Sequence, residues 1–285
     1  MKKTIKNIFK VLVGIIIVAL IVQFILLIPS PQKDLRMNHL RHDIKYTKVP
    51  TLLINGYGGS NYTYNKMINY YQKENIAQKT MTIHVRPNGD VKVSGSIKNK
   101  KNALIQLLFD WNLSQTYNSQ TKWTIKVIKI LHEKYGVNQL NIVGHSWGGT
   151  EFLHALGQSK WLQRNVKFNK VILLGTPVNE AVNNKISYQK AQQEDKTDAQ
   201  YQKLRKEYEK LDPIGKIQFY NVMADYKNNT DTSVPNVQSE FLYNILDSKW
   251  STCETKIFYG IRHSALHQDV SVLDYVAHQL YNKNK

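Results

Sequence analysis

An apolar run from Gln139 to Val143 leads straight into Gly144-His-Ser146-Trp-Gly148, and Thr150 to Gly157 then carries apolar residues at helical spacing. Gly-x-Ser-x-Gly between a buried strand and a helix is the pattern of a nucleophile elbow, in which a sharp turn lifts one serine oxygen above a sheet. Gly144 and Gly148 stand two residues either side of Ser146, where side chains would collide across the bend. The pattern therefore calls for a strand inside a sheet, a helix packed behind it and an exposed Ser146.

The rest of the chain supplies such a sheet. Val49 to Asn55 reads as a buried strand and Tyr62 to Lys73 as a helix. Thr80 to Val85 and Val91 to Ile97 flank Arg86-Pro-Asn-Gly-Asp90, a turn signal that predicts a hairpin. Leu104 to Trp111 reads as a strand, and Gln120 to Tyr135 as a helix stopped by Gly136. Further strands are predicted at Lys170 to Leu174, Lys216 to Met223 and Thr255 to Tyr259, with a last helix from Val270 to Tyr281. Strands alternating with helices predict an α/β fold with a mostly parallel sheet covered on both faces. Ligands of such sheets lie at the carboxyl ends of the strands. A polar, charged stretch, 184–211, interrupts the rhythm and reads as a helical excursion beside the substrate entrance, or as a solvated surface helix.

A serine hydroxyl needs a base within hydrogen-bond reach and a third group to orient that base. In elbow folds the chain order is Ser, then Asp or Glu, then His. Of the histidines after Ser146, His154 falls on the helix behind the nucleophile and His278 deep in the last helix. His263 and His267 remain; His263, closer to the end of its strand, is preferred as general base. For the acid, Asp231 before Ser233-Val-Pro235 is preferred to Asp225, which sits at a strand terminus and reads as a cap or turn.

The oxyanion that develops during acyl transfer needs two main-chain donors, one from the residue after the nucleophile, Trp147. The loop Asn55-Gly56-Tyr57-Gly58-Gly59-Ser60 fits the second, with Tyr57 the expected donor and Gly56 and Gly58 allowing close approach. The loop lacks the Lys and Ser/Thr of a phosphate-binding loop, and neither a metal cluster nor a cofactor motif is read in the sequence.

Residues 1–10 include four lysines, and 11–28 form eighteen residues without a charge, long enough to cross a bilayer core. The run exceeds a signal-peptide core and lacks a clear small-x-small cleavage site, which favours an uncleaved signal anchor. On that reading 1–10 is cytoplasmic, 11–28 transmembrane, 29–45 a linker, and 46–285 a catalytic domain outside the membrane; cleavage would instead give a secreted domain. Cys253 is the only cysteine, so the fold rests on its core without an internal disulfide.

The net charge of +18 falls to +14 when the four amino-terminal lysines are set aside. Such a surface suits anionic lipid or wall polymers, or is simply solvated; nucleic acid is not expected, for want of a recognition motif. Three Asn-x-Ser/Thr triplets, one of them Asn112-Leu-Ser114, are given no function.

Ile54-Asn-Gly-Tyr-Gly-Gly-Ser60, Gly144-His-Ser-Trp-Gly-Gly149, Leu174-Gly-Thr-Pro-Val-Asn179, Asp231-Thr-Ser-Val-Pro235 and His263-Ser-Ala-Leu-His267 together resemble the α/β-hydrolase superfamily. More closely they resemble the DUF915 group of membrane-anchored, extracytoplasmic hydrolases of Gram-positive bacteria. Two positions depart from that pattern: Asn55, where relatives usually have His, and Thr232, where a glycine commonly follows the acid. The resemblance implies an α/β-hydrolase fold with a hairpin insertion near 80–97 and a small helical cap near 180–212. It also implies ester or lipase-like hydrolysis through Ser146, His263 and Asp231. Acyl transfer by the same residues, and a non-catalytic scaffold that docks anionic polymers or lipids, are the rival expectations.

Overall fold

The computed structural model describes residues 2–211 and 215–283. The far ends of the expected helical excursion, at 212, and of the expected domain, at 285, lie outside the described residues.

The chain begins with α1 (Lys2–Leu26), so the expected cytoplasmic terminus is helical from Lys2 onward. Thr4–Leu26 is long and apolar enough to cross a membrane, with a mean hydropathy of 2.8 and none of that window buried in the protein. There follow β1 (Thr51–Ile54), α2 (Asn61–Lys73), β2 (Gln78–Val85), β3 (Val91–Gly95), β4 (Ala103–Phe109), α3 (Asn118–Tyr135) and β5 (Gln139–His145). The second half holds α4 (Trp147–Gln158), α5 (Lys160–Asn165), β6 (Lys167–Leu174), α6 (Tyr188–Gln193) and α7 (Ala199–Glu209). It closes with β7 (Ile217–Asp225), α8 (Asn236–Glu240), β8 (Ser251–Tyr259) and α9 (Val270–Tyr281).

Eight strands form a sheet in the order β3-β2-β4-β1-β5-β6-β7-β8. Among the described residues β3 alone of these strands pairs antiparallel, so the fold is the expected α/β class. The hairpin 80–97 is part of the sheet itself, because β2 pairs in parallel with β4 along its whole length while β3 forms the edge. From β1 the chain moves towards β2, and from β5 it moves the other way. The crevice between β1 and β5 is therefore the switch point at which an open α/β sheet places its ligand.

Alternation of strand side chains divides the core. Leu52, Ile54, Ile142, Val171 and Leu173 face α3, α4 and α7, whereas Leu53, Val143, Ile172 and Leu174 face α2 and α9. Local signals start and stop these helices: Ser60 caps α2 in a reciprocal box with Thr63, and Gly136 ends α3 at φ 68°. Tyr64 on α2 donates to the carbonyls of both Ile54 and Val143, both at 3.0 Å, tying the helix to the two strands that bracket the crevice.

The charged stretch packs as well as projects. Tyr201, Leu204 and Tyr208 of α7 are buried in the main core, and Tyr208 donates to the carbonyl of Leu153 on α4 at 3.1 Å. Residues 29–45, expected as a linker, lie against the domain. Ser30, Leu35 and Ile44 are buried, and the Ser30, Lys33 and Leu35 amides donate to Gln106, Gln72 and Gln78. These side-chain acceptors hold an irregular segment in place without adding a strand.

Candidate active site

β5 ends at His145 and α4 begins at Trp147, so one residue makes the whole turn. Ser146 does so at φ 55°, ψ −132°, a conformation a side-chain-bearing residue holds only when its surroundings enforce it, at about 1–3 kcal/mol. The enforcement is visible at Gly148, where a Cβ would lie 2.4 Å from the Ile54 carbonyl oxygen. The strain holds Ser146 at the crevice mouth, half-buried, at the amino end of α4.

Gly56 packs against this turn: a Cβ there would meet the His145 oxygen and Ser146 Cβ at 2.7 Å and Trp147 N at 3.1 Å. The loop after β1 thus lies directly against Ser146 and the first amide of α4, which has no intrahelical acceptor. Gly58 donates to the Asn112 carbonyl at 2.7 Å and Gly59 to that of Gly56 at 2.9 Å, whereas the Tyr57 amide has no acceptor among the described residues. Asn112 Nδ2 donates to the Gly56 oxygen at 2.6 Å. Because C=O and N–H point opposite ways across a trans peptide, this bond aims the Tyr57 N–H away from Asn112. The Tyr57 and Trp147 amides, the pair expected as oxyanion donors, thus stand beside Ser146.

Asp231 is buried in the loop after β7. Its Oδ1 accepts from the Ser233 amide at 2.9 Å and the Val234 amide at 2.7 Å, which leaves Oδ2 for His263 Nδ1 at 2.6 Å. His263 follows β8 and donates its own amide to the Asp231 oxygen at 2.7 Å. Asp225 instead accepts from the Asn229 amide at 3.1 Å, a turn contact. Asp231 packs close to the elbow side of the sheet: a Cβ on Gly175, next to β6, would sit 2.8 Å from Asp231 Oδ2 and 3.1 Å from His263 Nδ1.

His267 takes no part in that pair. It is buried beside His145 and Tyr64, its Nδ1 has no partner among the described residues, and burial followed by the charge of His263 lowers its pKa to about 4. His145 is also held well below the usual histidine range, by burial first and then by His267 and His263. Kept neutral, it donates Nε2–H to the His263 carbonyl at 3.1 Å, its ring centroid 4.5 Å from that of His263. Among the described residues no hydrogen bond joins Ser146 Oγ to His263 Nε2. Unliganded sites often hold that contact long and tighten it on the substrate.

Three contributors escaped the sequence reading. Asn112 was met only within an Asn-x-Ser triplet, yet it grips the loop after β1 at Gly56. Glu180 Oε1 accepts from Trp147 Nε1 at 2.7 Å and from the Tyr117 hydroxyl, while Tyr117 and Tyr57 pack edge-on against the Trp147 ring at 4.9 and 5.3 Å. Burial and then Glu180 push the Tyr117 phenol well above its ordinary range, so it stays a donor. These contacts fix the Trp147 ring beside its amide. The spacing of Tyr117 and Glu180 from the elbow carries no local signal for them. Among the described residues no group of three or more His, Cys, Asp or Glu is placed to hold a metal ion.

The family profile described as an alpha/beta hydrolase of unknown function, DUF915, matches residues 38–283. The chain belongs to this family. It shares its fold with the product of a Listeria innocua gene, 20% identical, over 82% of this chain and 94% of that one at a TM-score of 0.70. It is likewise similar to a structure named as a cell surface hydrolase of Lactobacillus plantarum, 17% identical, over 81% of this chain and 89% of that one at 0.65. No curated protein matches the sequence. As a DUF915 member the chain is an α/β hydrolase, and Tyr57, Ser146, Trp147, Asp231 and His263 all stand just beyond the carboxyl ends of its strands β1, β5, β7 and β8.

Proposed function

We propose that this DUF915 protein is a serine hydrolase acting on carboxylic esters, anchored by α1 with its catalytic domain outside the membrane. The observation that carries the reading is the 2.6 Å bond between His263 Nδ1 and a buried Asp231 whose other oxygen is already saturated by two amides. That arrangement fixes the imidazole tautomer with Nε2 free to accept a proton.

In the reaction, Ser146 Oγ attacks the acyl carbon as His263 Nε2 takes its proton, and the Tyr57 and Trp147 amides receive the negative charge forming on the carbonyl oxygen. The tetrahedral intermediate collapses, His263 returns the proton to the departing alkoxide, and the acyl group remains on Ser146. Water, deprotonated by His263, then attacks the acyl-enzyme; collapse releases the carboxylic acid and restores Ser146. Asp231 Oδ2, bonded to Nδ1, orients the ring and stabilises the imidazolium. An alcohol in place of water would give acyl transfer through the same residues, and product analysis with added alcohols separates the two.

The test is hydrolysis of chromogenic esters of graded chain length by the full chain and by Ser146→Ala. The proposal expects the variant to lose essentially all turnover; equal turnover would refute it.

A further inference from the structure

The end of α1 is fastened to the two loops that build the crevice mouth. Gln23 Nε2, in the last turn of α1, donates to the carbonyl of Asp110 at 2.8 Å. Asn61, which opens α2 just after the oxyanion loop, donates to the carbonyl of Ile28 at 2.5 Å. The next residues hold the junction firmly: Ser30 is buried, its amide donates to Gln106 Oε1 at 3.0 Å, and its carbonyl accepts from Lys79 Nζ at 2.5 Å. These bonds tie the junction between α1 and the domain to β2, β4 and α2.

Large apolar side chains stand exposed beside these anchors. Trp111 (52% exposed) lies between Asp110, which meets α1, and Asn112, which grips Gly56; Leu113 (48%) follows it. Tyr62 (54%) is next to Asn61, and Tyr57 (51%) belongs to the oxyanion loop itself. Gln23 precedes Leu26 by three residues, about 4.5 Å of helix rise, which places this rim level with the end of the membrane-crossing segment. Aromatic side chains at such a level prefer the headgroup boundary of a bilayer, and the +14 charge of the rest of the chain favours an anionic leaflet.

We infer that the crevice opens onto the bilayer crossed by α1, with Trp111 and Leu113 dipping into its outer leaflet, and that the ester cleaved is carried by an amphiphile drawn from that leaflet. The inference rests on the proposed function for its chemistry and for α1 as the membrane anchor.

Two measurements on the full chain test it, in vesicles of phosphatidylcholine and phosphatidylglycerol in equal parts. Brominated-tail phosphatidylcholine should quench tryptophan emission more in the wild type than in Trp111→Phe. In the second, Trp111→Ser combined with Leu113→Ser should slow cleavage of a vesicle-borne fluorogenic acyl glycerolipid at least about tenfold while a water-soluble short ester is cleaved as before, because the two apolar anchors that seat the rim in the leaflet are lost. Equal quenching in wild type and Trp111→Phe would overturn the orientation. A double variant that slows both esters alike, or neither, would overturn the leaflet-borne substrate. A wild type that cleaves neither ester would count against the hydrolase reading, with the quenching result still deciding how the domain sits.

Discussion

Asp231 and His263 are joined twice: Oδ2 lies 2.6 Å from Nδ1, and the His263 amide donates to the Asp231 carbonyl at 2.7 Å. The second bond holds the backbones in register, so the loop after β8 is positioned by the loop after β7 even without the carboxylate. Asp231→Asn should therefore fold normally yet present the wrong tautomer of His263. The expected loss is about 10³–10⁴-fold in kcat with little change in KM, by analogy with the same change in serine proteases. Steady-state kinetics on a chromogenic ester checks it.

Asn112 holds the Gly56–Tyr57 peptide from behind and accepts from Gln120 Nε2 at 3.3 Å. Asn112→Ala removes one of the two donors to the buried Gly56 carbonyl and leaves the Gly59 amide, which costs about 0.5–1.5 kcal/mol of stability. It also frees the Tyr57 amide from its fixed direction. Loss of a whole oxyanion donor lowers kcat about 10²–10³-fold, and a loosened one should cost roughly tenfold, read in kcat more than in KM.

Thr232, which departs from the usual glycine after the acid, lies at φ 92°. A β-branched residue is strained there, by about 1–3 kcal/mol, whereas glycine is not. Glycine adds about 0.5–1 kcal/mol of unfolded-chain entropy, so Thr232→Gly should stabilise the protein by about 1 kcal/mol. The shift in the urea midpoint of the detergent-solubilised chain measures it.

Glu151 lies buried in α4 with Oε2 unpartnered among the described residues, and burial raises its pKa well above 4.5. The unfolded chain gives up this proton above pH 4.5 while the folded protein keeps it, so its contribution is complete below 4.5 and falls as pH rises towards the folded value. Gln holds no such proton. Glu151→Gln should match the wild type near pH 4.5 and then gain on it by about 1.4 kcal/mol per pH unit until the folded carboxyl ionises, as urea unfolding at a series of pH values will record.

Much of the site was legible because its parts have local signatures. The elbow glycines, the glycine-rich loop after β1 and the turn around Asp231 each show their backbone requirement in a few residues. The alternation of buried strands with helices did the same for the sheet. What escaped depends on contacts distant in sequence. Asn112 matters only because the β4–α3 loop meets Gly56, and Gln106, Gln72 and Gln78 only because an irregular segment runs past them. That β2 belongs to the parallel sheet follows from its pairing with β4, which no hairpin signal reports. The buried face of α7 was present in the sequence as Tyr201, Leu204 and Tyr208 at three- and four-residue spacing, masked by the charges around them.

The most direct test of the central claim is labelling of the full chain with a fluorophosphonate, followed by mass mapping of the adduct. The account predicts one stoichiometric adduct on Ser146, absent from Ser146→Ala and strongly slowed in His263→Ala. A folded wild type that takes no label, or one labelled equally after Ser146→Ala, would contradict it.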